Sequence, residues 1–212
     1  TYNNQTPLAG GCYEKNDSGV SRFGEQVIEE MNRLGMIVDL SHAGKQTCLD
    51  AINFSKKPVT ISHANPNFFH QSIRNIDDEV LKLLAKNNGF IGLSLYPYHL
   101  KNYGDCKLED FCEMINQLVN MMGEDNIGIG SDLCMNWPDS VVMWMRNGKW
   151  TKKIDYGESK NKNASWPKPL TWYSKPEDIS AFLKGMILNG ISEKTAHKIA
   201  GSNWLNFMQN HF

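Results

Sequence analysis

What this chain lacks narrows its class before any motif is read. Charge of one sign is missing: 22 Lys and Arg stand against 23 Asp and Glu, a formal net charge of -1. No electrostatic field therefore draws it to nucleic acid or to an acidic membrane surface, and neither is expected as a partner. Long hydrophobic runs are missing too. No stretch approaches the roughly 18 apolar residues of a membrane span and no secretory leader is evident, so a cytoplasmic protein without a membrane segment is expected. Cysteine is sparse and unpatterned. The five (Cys12, Cys48, Cys106, Cys112, Cys134) are odd in number and contain no Cys-x-x-Cys pair, which points to reduced thiols rather than a disulfide frame. Internal repeats and low-complexity linkers are also absent. At 212 residues the chain can bury one sizeable core, alone or as part of a larger domain. It begins at Thr1 rather than Met, in a stretch that reads as the end of a strand, so it is expected to be a piece of something longer.

What is present is a repeated strand ending. Gly35-Met36-Ile37-Val38-Asp39-Leu40-Ser41-His42 and Pro58-Val59-Thr60-Ile61-Ser62-His63 are both apolar runs closing in Ser-His. Continuous hydrophobicity marks strands covered on both faces, as in parallel sheets. Polar side chains at the carboxyl ends of such strands sit where ligands and metals bind. Two imidazoles delivered there by successive strands predict a divalent metal site at His42 and His63.

Helical and strand patterns alternate along the rest. Phe23, Val27, Ile28, Met31 and Leu34 share a helical face that ends at Gly35, and Cys48, Ala51, Ile52 and Phe54 form a shorter one. Asp77 is expected to cap a helix carrying Val80, Leu81, Leu84 and Ala85. Phe90–Leu95 reads as a third buried strand, Leu108–Met122 as a helix, and Ile127–Asp132 as a fourth strand ending in an acid–base or ligand group. Ser174 with Glu177 resembles a capping box before Ile179, Phe182, Leu183, Met186 and Ile187. Gly201 divides two last short helices. His70, His99, His197 and His211 lack the Ser-His context and read as surface or structural.

This β-α order, with long crossovers, fits either a doubly wound sheet or a (β/α)8 barrel. A barrel typically needs about 250 residues, so four strands make half of one, with the remainder expected upstream of Thr1. Residues 133–172 break the rhythm. They are rich in Lys, Asn, Pro and Gly and carry Trp137, Trp144, Trp150, Trp166 and Trp172, so they read as either a substrate lid or an insertion that packs on the barrel or another subunit.

The motifs in series are familiar. Asp39-Leu40-Ser41-His42, Ile61-Ser62-His63-Ala64-Asn65, Ser72-Ile73-Arg74-Asn75-Ile76-Asp77-Asp78 and Gly128-Ile129-Gly130-Ser131-Asp132 together resemble the membrane dipeptidase (renal dipeptidase) family of zinc peptidases, peptidase family M19. Thr1–Pro7 resembles that family's fourth barrel strand and the loop after it, and Gly201–Leu205 its C-terminal helix. The resemblance implies one partial TIM-barrel domain over residues 1–212, the C-terminal half to two-thirds of a (β/α)8 fold with the 133–172 insertion. It also implies two zinc ions and hydrolysis of dipeptides with free termini, tolerating D-residues at the C-terminal position.

Carried over by position, His42 and His63 match the histidines that bind one zinc, and Arg74 the arginine that holds the substrate carboxylate. Asp132 matches an acid that contacts substrate and handles protons. Tyr2 stands where mammalian enzymes place a histidine that polarises the scissile carbonyl; tyrosine there resembles bacterial members. The family's second acidic residue after the last strand is here Cys134, and its first-strand His-x-Asp and bridging Glu have no counterpart in this chain, leaving ligands for one zinc of two.

Elementary chemistry agrees with those roles. Imidazoles suit zinc, which normally takes three protein ligands and a water when catalytic. A guanidinium grips a carboxylate bidentately, as an ammonium does not. A carboxylate such as Asp132 can move a proton between water and leaving amine, and a phenol such as Tyr2 can donate to an oxyanion. The expected activity is zinc-dependent dipeptide hydrolysis. The alternatives are hydrolysis of another small amide or lactone, or a non-catalytic barrel fragment. A second copy or an N-terminal half is the expected protein partner.

Overall fold

The computed structural model describes residues 1–142 and 165–212. Three strands, β1 (Thr60–Ala64), β2 (Phe90–Leu93) and β3 (Ile127–Ile129), form a parallel sheet in sequence order. All of β2 is buried, as its uninterrupted Phe-Ile-Gly-Leu run requires. Helices α3 (Asp78–Lys86) and α4 (Leu108–Met122) make the crossovers. Helices α1 (Arg22–Leu34) and α2 (Lys45–Phe54) precede the sheet, and α5 (Ile179–Leu188), α6 (Glu193–His197) and α7 (Asn203–His211) follow it. Buried apolar side chains from Ile28 to Ile199 form one cluster, with Ile61, Leu81, Leu84, Ile91, Leu93, Phe111 and Leu118 sealed at its centre.

The first expected strand is much shorter than its apolar run. Residues 35–42 make one parallel bridge, Asp39 to Thr60, flanked by Leu40 N–H to Thr60 O and Thr60 N–H to Val38 O, both 2.9 Å. The next rung is lost because the Asp39 carboxylate takes the Ser62 N–H at 2.9 Å. A side chain thus replaces the backbone acceptor, and the chain leaves the ladder just before His42.

At the other edge β3 stops at Ile129 rather than reaching Asp132. Leu95 N–H still finds Ser131 O at 3.2 Å, but Asp132 adopts a left-handed backbone, φ 52°, which cannot continue a pleat. The opening residues 1–7 form no strand. Their neighbours are tied down instead by antiparallel bridges, Ala9 to Val20 and Gly11 to Ala43, and by Cys12 N–H to His42 O at 2.9 Å.

Three side-chain expectations are corrected. On α1 the buried line runs through Gly24 and Ile28, while Phe23 and Leu34 are 56% and 55% exposed. The helix presses its glycine onto the backbone of Leu8, which turns the Phe23 side outward. Before α5 the capping acceptor is Asp178, not Glu177: its Oδ2 accepts from Ser174 N, Ser174 Oγ and Lys175 N. Asp77 does hold the N-cap position of α3, but its side chain accepts from Asn67 Nδ2 at 2.7 Å instead of capping.

Trp204 of α7 lies across the sheet. Its indole N–H donates to Ile129 O at 2.9 Å, and a Cβ on Gly128 would stand 2.7 Å from the indole ring. Of the 133–172 insertion, residues 143–164, with Trp144 and Trp150, lie outside the described residues. Its returning end packs down: Trp172 stacks on Phe182 with ring centroids 5.5 Å apart and donates its N–H to Cys106 O. No helix among the described residues is long and apolar enough to cross a membrane.

Candidate active site

His63 stands in β1, and His42 follows the short bridge beside it. The two rings converge, with Nε2 of one 2.9 Å from Nε2 of the other. Which nitrogens carry protons follows from their neighbours. Arg74 Nη2, which only donates, lies 3.1 Å from His42 Nε2, so that nitrogen accepts. The His42 proton is then on Nδ1, which donates to Asn3 Oδ1 at 2.7 Å.

At His63 a carboxylate gives the same answer. Ser62 Oγ–H donates to Asp39 Oδ2 at 2.6 Å, which consumes its proton. The 2.8 Å contact between Ser62 Oγ and His63 Nδ1 is therefore an N–H donated to the hydroxyl oxygen. Both Nε2 atoms present lone pairs to each other.

The imidazoles are held neutral. Burial, then the nearby positive charge of Arg74, pushes His42 down to about 3. Burial also lowers His63, although the charge of Asp132 pulls the other way. Burial works to raise the Asp39 carboxyl, but its hydrogen bonds from Ser41 and Ser62 win and keep it below the ordinary value.

Arg74 is 3% exposed, unusual for a guanidinium. Its Nη1 donates to Ser41 O, and Cys12 Sγ lies 4.0 Å away. A cavity of about 570 Å³, lined by Cys12, Lys15, Lys45, Ser72 and Arg74 among others, opens beside it. Tyr2 stacks on His42, with centroids 4.0 Å apart and planes at 24°, and is 68% exposed. Asp132 lies beyond the end of β3 and lines a neighbouring cleft with Tyr96, Trp166 and Tyr173. Cys134 is largely exposed; partial burial of its thiol, then the charge of Asp132, raises it. The structure thus gathers His42, His63, Arg74 and Tyr2 in direct contact and sets Asp132 to the His63 side.

Two facing lone pairs repel unless a cation lies between them. Zinc bonds imidazole nitrogen at about 2.0–2.1 Å, and the 2.9 Å separation is short enough for one ion to reach both. The donor chemistry fits zinc as far as it goes. Among the described residues no group of three or more His, Cys, Asp or Glu is placed to hold an ion, so those residues bring two imidazoles together and no third donor of that kind.

Motif reading missed Asn3, Asp39, Ser41 and Ser62 as parts of the site. A signal was present: both histidines follow serine, and an aspartate stands three residues before the first. His99, read as surface or structural, is structural: it is 1% exposed, pairs with Ser94 Oγ at 2.8 Å and receives Asn65 and Asn75 on its carbonyl.

Comparisons with known proteins bear on this geometry. A family model described as membrane dipeptidase (peptidase family M19) matches residues 1–140. A dipeptidase of Aspergillus oryzae is 36% identical over 125 residues, 56% of this chain and 29% of its own length. One of Claviceps purpurea is 29% identical over 182 residues, 80% of this chain and 41% of its own. The chain thus spans less than half of either relative.

Among solved structures, an amidohydrolase from Pseudomonas aeruginosa superposes with a TM-score of 0.87 at 31% identity, over 98% of this chain and 62% of its own. A metallo peptidase from Rhodobacter sphaeroides, liganded with a phosphinate mimic of the dipeptide L-Ala-D-Ala, gives 0.75 at 20% identity, over 100% and 54%.

Proposed function

Since this chain belongs to the membrane dipeptidase family, peptidase family M19, we propose that it is the C-terminal half to two-thirds of a zinc-dependent dipeptidase on a (β/α)8 barrel. The observation that carries this reading is the convergence of the two imidazole Nε2 atoms, 2.9 Å apart, with a buried arginine beside them.

His42 and His63 would hold the ion through Nε2, with the remaining ligands supplied from outside this chain. Bound zinc supplies Lewis acidity and lowers the pKa of water toward neutrality. Arg74 binds the C-terminal carboxylate of the substrate; its planar fork fixes the dipeptide's length against the ion. Tyr2, anchored by its stacking on His42, donates its phenol to the scissile carbonyl oxygen. Asp132 accepts a proton from the attacking water and returns it to the leaving amine.

A second reading has its own support. The superposition at 31% identity is with a protein named only as an amidohydrolase, which favours a small amide as substrate. A substrate panel separates the two. The protein of which this chain is part, loaded with Zn2+, should hydrolyse dipeptides with free termini and spare the same dipeptides with a blocked carboxylate. Turnover of cyclic amides or lactones with none of dipeptides would overturn the peptidase reading. The isolated chain, with two candidate ligands among its described residues, should bind Zn2+ weakly and turn over nothing.

A further inference from the structure

Asp39 touches neither Nε2, yet both serines beside the histidines give it their protons. Ser41 Oγ–H donates to Oδ1 and Ser62 Oγ–H to Oδ2, each at 2.6 Å, and the backbone N–H groups of Ser41 and Ser62 reach Oδ1 at 3.2 and 2.9 Å. The two hydroxyl oxygens lie 3.0 Å apart with no proton left to share. Each therefore turns a lone pair toward His63: Ser41 Oγ accepts its backbone N–H at 3.1 Å and Ser62 Oγ its Nδ1–H at 2.8 Å.

We propose that Asp39 is a positioning residue that sets the tautomer of His63 through Ser62, and with Ser41 fixes the place of that histidine on β1. It compels the ring proton onto Nδ1 and so reserves Nε2 as the electron-pair donor aimed at His42. Histidine ligands are oriented in this way when their second nitrogen donates to a carboxylate, directly or through an intermediary. Here the intermediary is a serine, and the carboxylate also costs β1 and its neighbour a ladder rung. The inference deepens the proposed function, because it matters to catalysis only if His63 binds the ion.

Asp39→Asn tests it sharply. Two backbone N–H groups point at Oδ1, so an amide must put its oxygen there and its NH2 toward Ser62 Oγ. Ser62 then accepts from the amide and turns its own proton to His63 Nδ1, moving the ring proton to Nε2.

The readout is the tautomer of His63 in isotope-labelled protein stripped of metal by a chelator. Long-range proton–nitrogen correlation spectra at mildly alkaline pH report it, with the signal assigned by its loss in His63→Gln. Wild type should show Nδ1 protonated and Asp39→Asn should show Nε2 protonated. Ser62→Ala, which keeps the carboxylate but removes the link, should show a mixture. Titration with Zn2+ should weaken about 10–100-fold in Asp39→Asn.

A His63 ring that stays Nδ1-protonated in Asp39→Asn, or in Ser62→Ala should the first variant not fold, overturns the proposal. A wild-type protein that shows the Nδ1-protonated ring but takes up no Zn2+ overturns the metal reading and leaves the tautomer assignment supported.

Discussion

Arg74 Nη2 stands 3.1 Å from His42 Nε2, so the guanidinium proposed to meet a substrate carboxylate shares an edge with the imidazole proposed to hold zinc. The two roles are coupled through one lone pair. Arg74→Ala removes both a competing donor and a positive charge from beside the ion. It should tighten Zn2+ binding several-fold while raising KM for dipeptides by about 10–100-fold, the cost of about 1.5–3 kcal/mol for a lost charged hydrogen bond. Calorimetric Zn2+ titration and steady-state kinetics on one preparation check both signs. Weaker Zn2+ binding with KM unmoved would contradict the coupling.

Asp132→Asn tests the proton-handling role. The amide keeps the shape of the carboxyl but cannot accept a proton, so kcat should fall by about 100-fold or more while Zn2+ content stays unchanged. A variant with wild-type kcat removes Asp132 from the mechanism.

Glu124 gives the fold a measurable acid limb. It accepts from Lys198 Nζ at 2.6 Å and Thr195 Oγ1 at 2.8 Å and pairs with Lys194, tying α6 and the turn after it to the loop before β3. Hydrogen bonds from Lys198, Lys194 and Thr195 pull its carboxyl from 4.5 to about 2. A carboxylate depressed by folding stabilises the native state above its ordinary value and loses that contribution as pH falls through the depressed one. The stability gap between wild type and Glu124→Gln should thus be full at neutral pH and close between pH 4.5 and about 2. Denaturant unfolding across that range reads it; a gap independent of pH would assign the effect to packing instead.

Gly128→Ala probes the close approach of sheet and C-terminal helix. Its new Cβ would fall 2.7 Å from both Phe90 and the Trp204 indole, closer than carbon atoms pack. Overpacking of this kind costs about 1–3 kcal/mol. Chemical denaturation of Gly128→Ala against wild type measures it, and an unchanged midpoint would show that Trp204 yields freely.

How much of this was legible in sequence varied by element. The buried parallel strands at 60–64, 90–93 and 127–129 were readable because an apolar run covered on both faces has few other solutions. The convergence of His42 and His63 was readable because both close apolar runs that lie side by side. Strand ends were not. Asp39 substitutes a carboxylate for a carbonyl by reaching Ser62, 23 positions away, and Asp132 takes a left-handed backbone that an apolar run does not announce. Phe23 stays exposed for a related reason: a hydrophobic stripe shows which face is apolar, but Gly24 sets which face comes close. The Asn3–His42 bond joins residues 39 positions apart and had no local signature at all.

The metal content of the protein tests the central claim most directly. Zinc should be counted per chain in the protein, before and after His63→Gln, with folding checked by circular dichroism. The account predicts that the substitution removes at least one bound zinc from a folded protein. Undiminished zinc in the folded variant would contradict it.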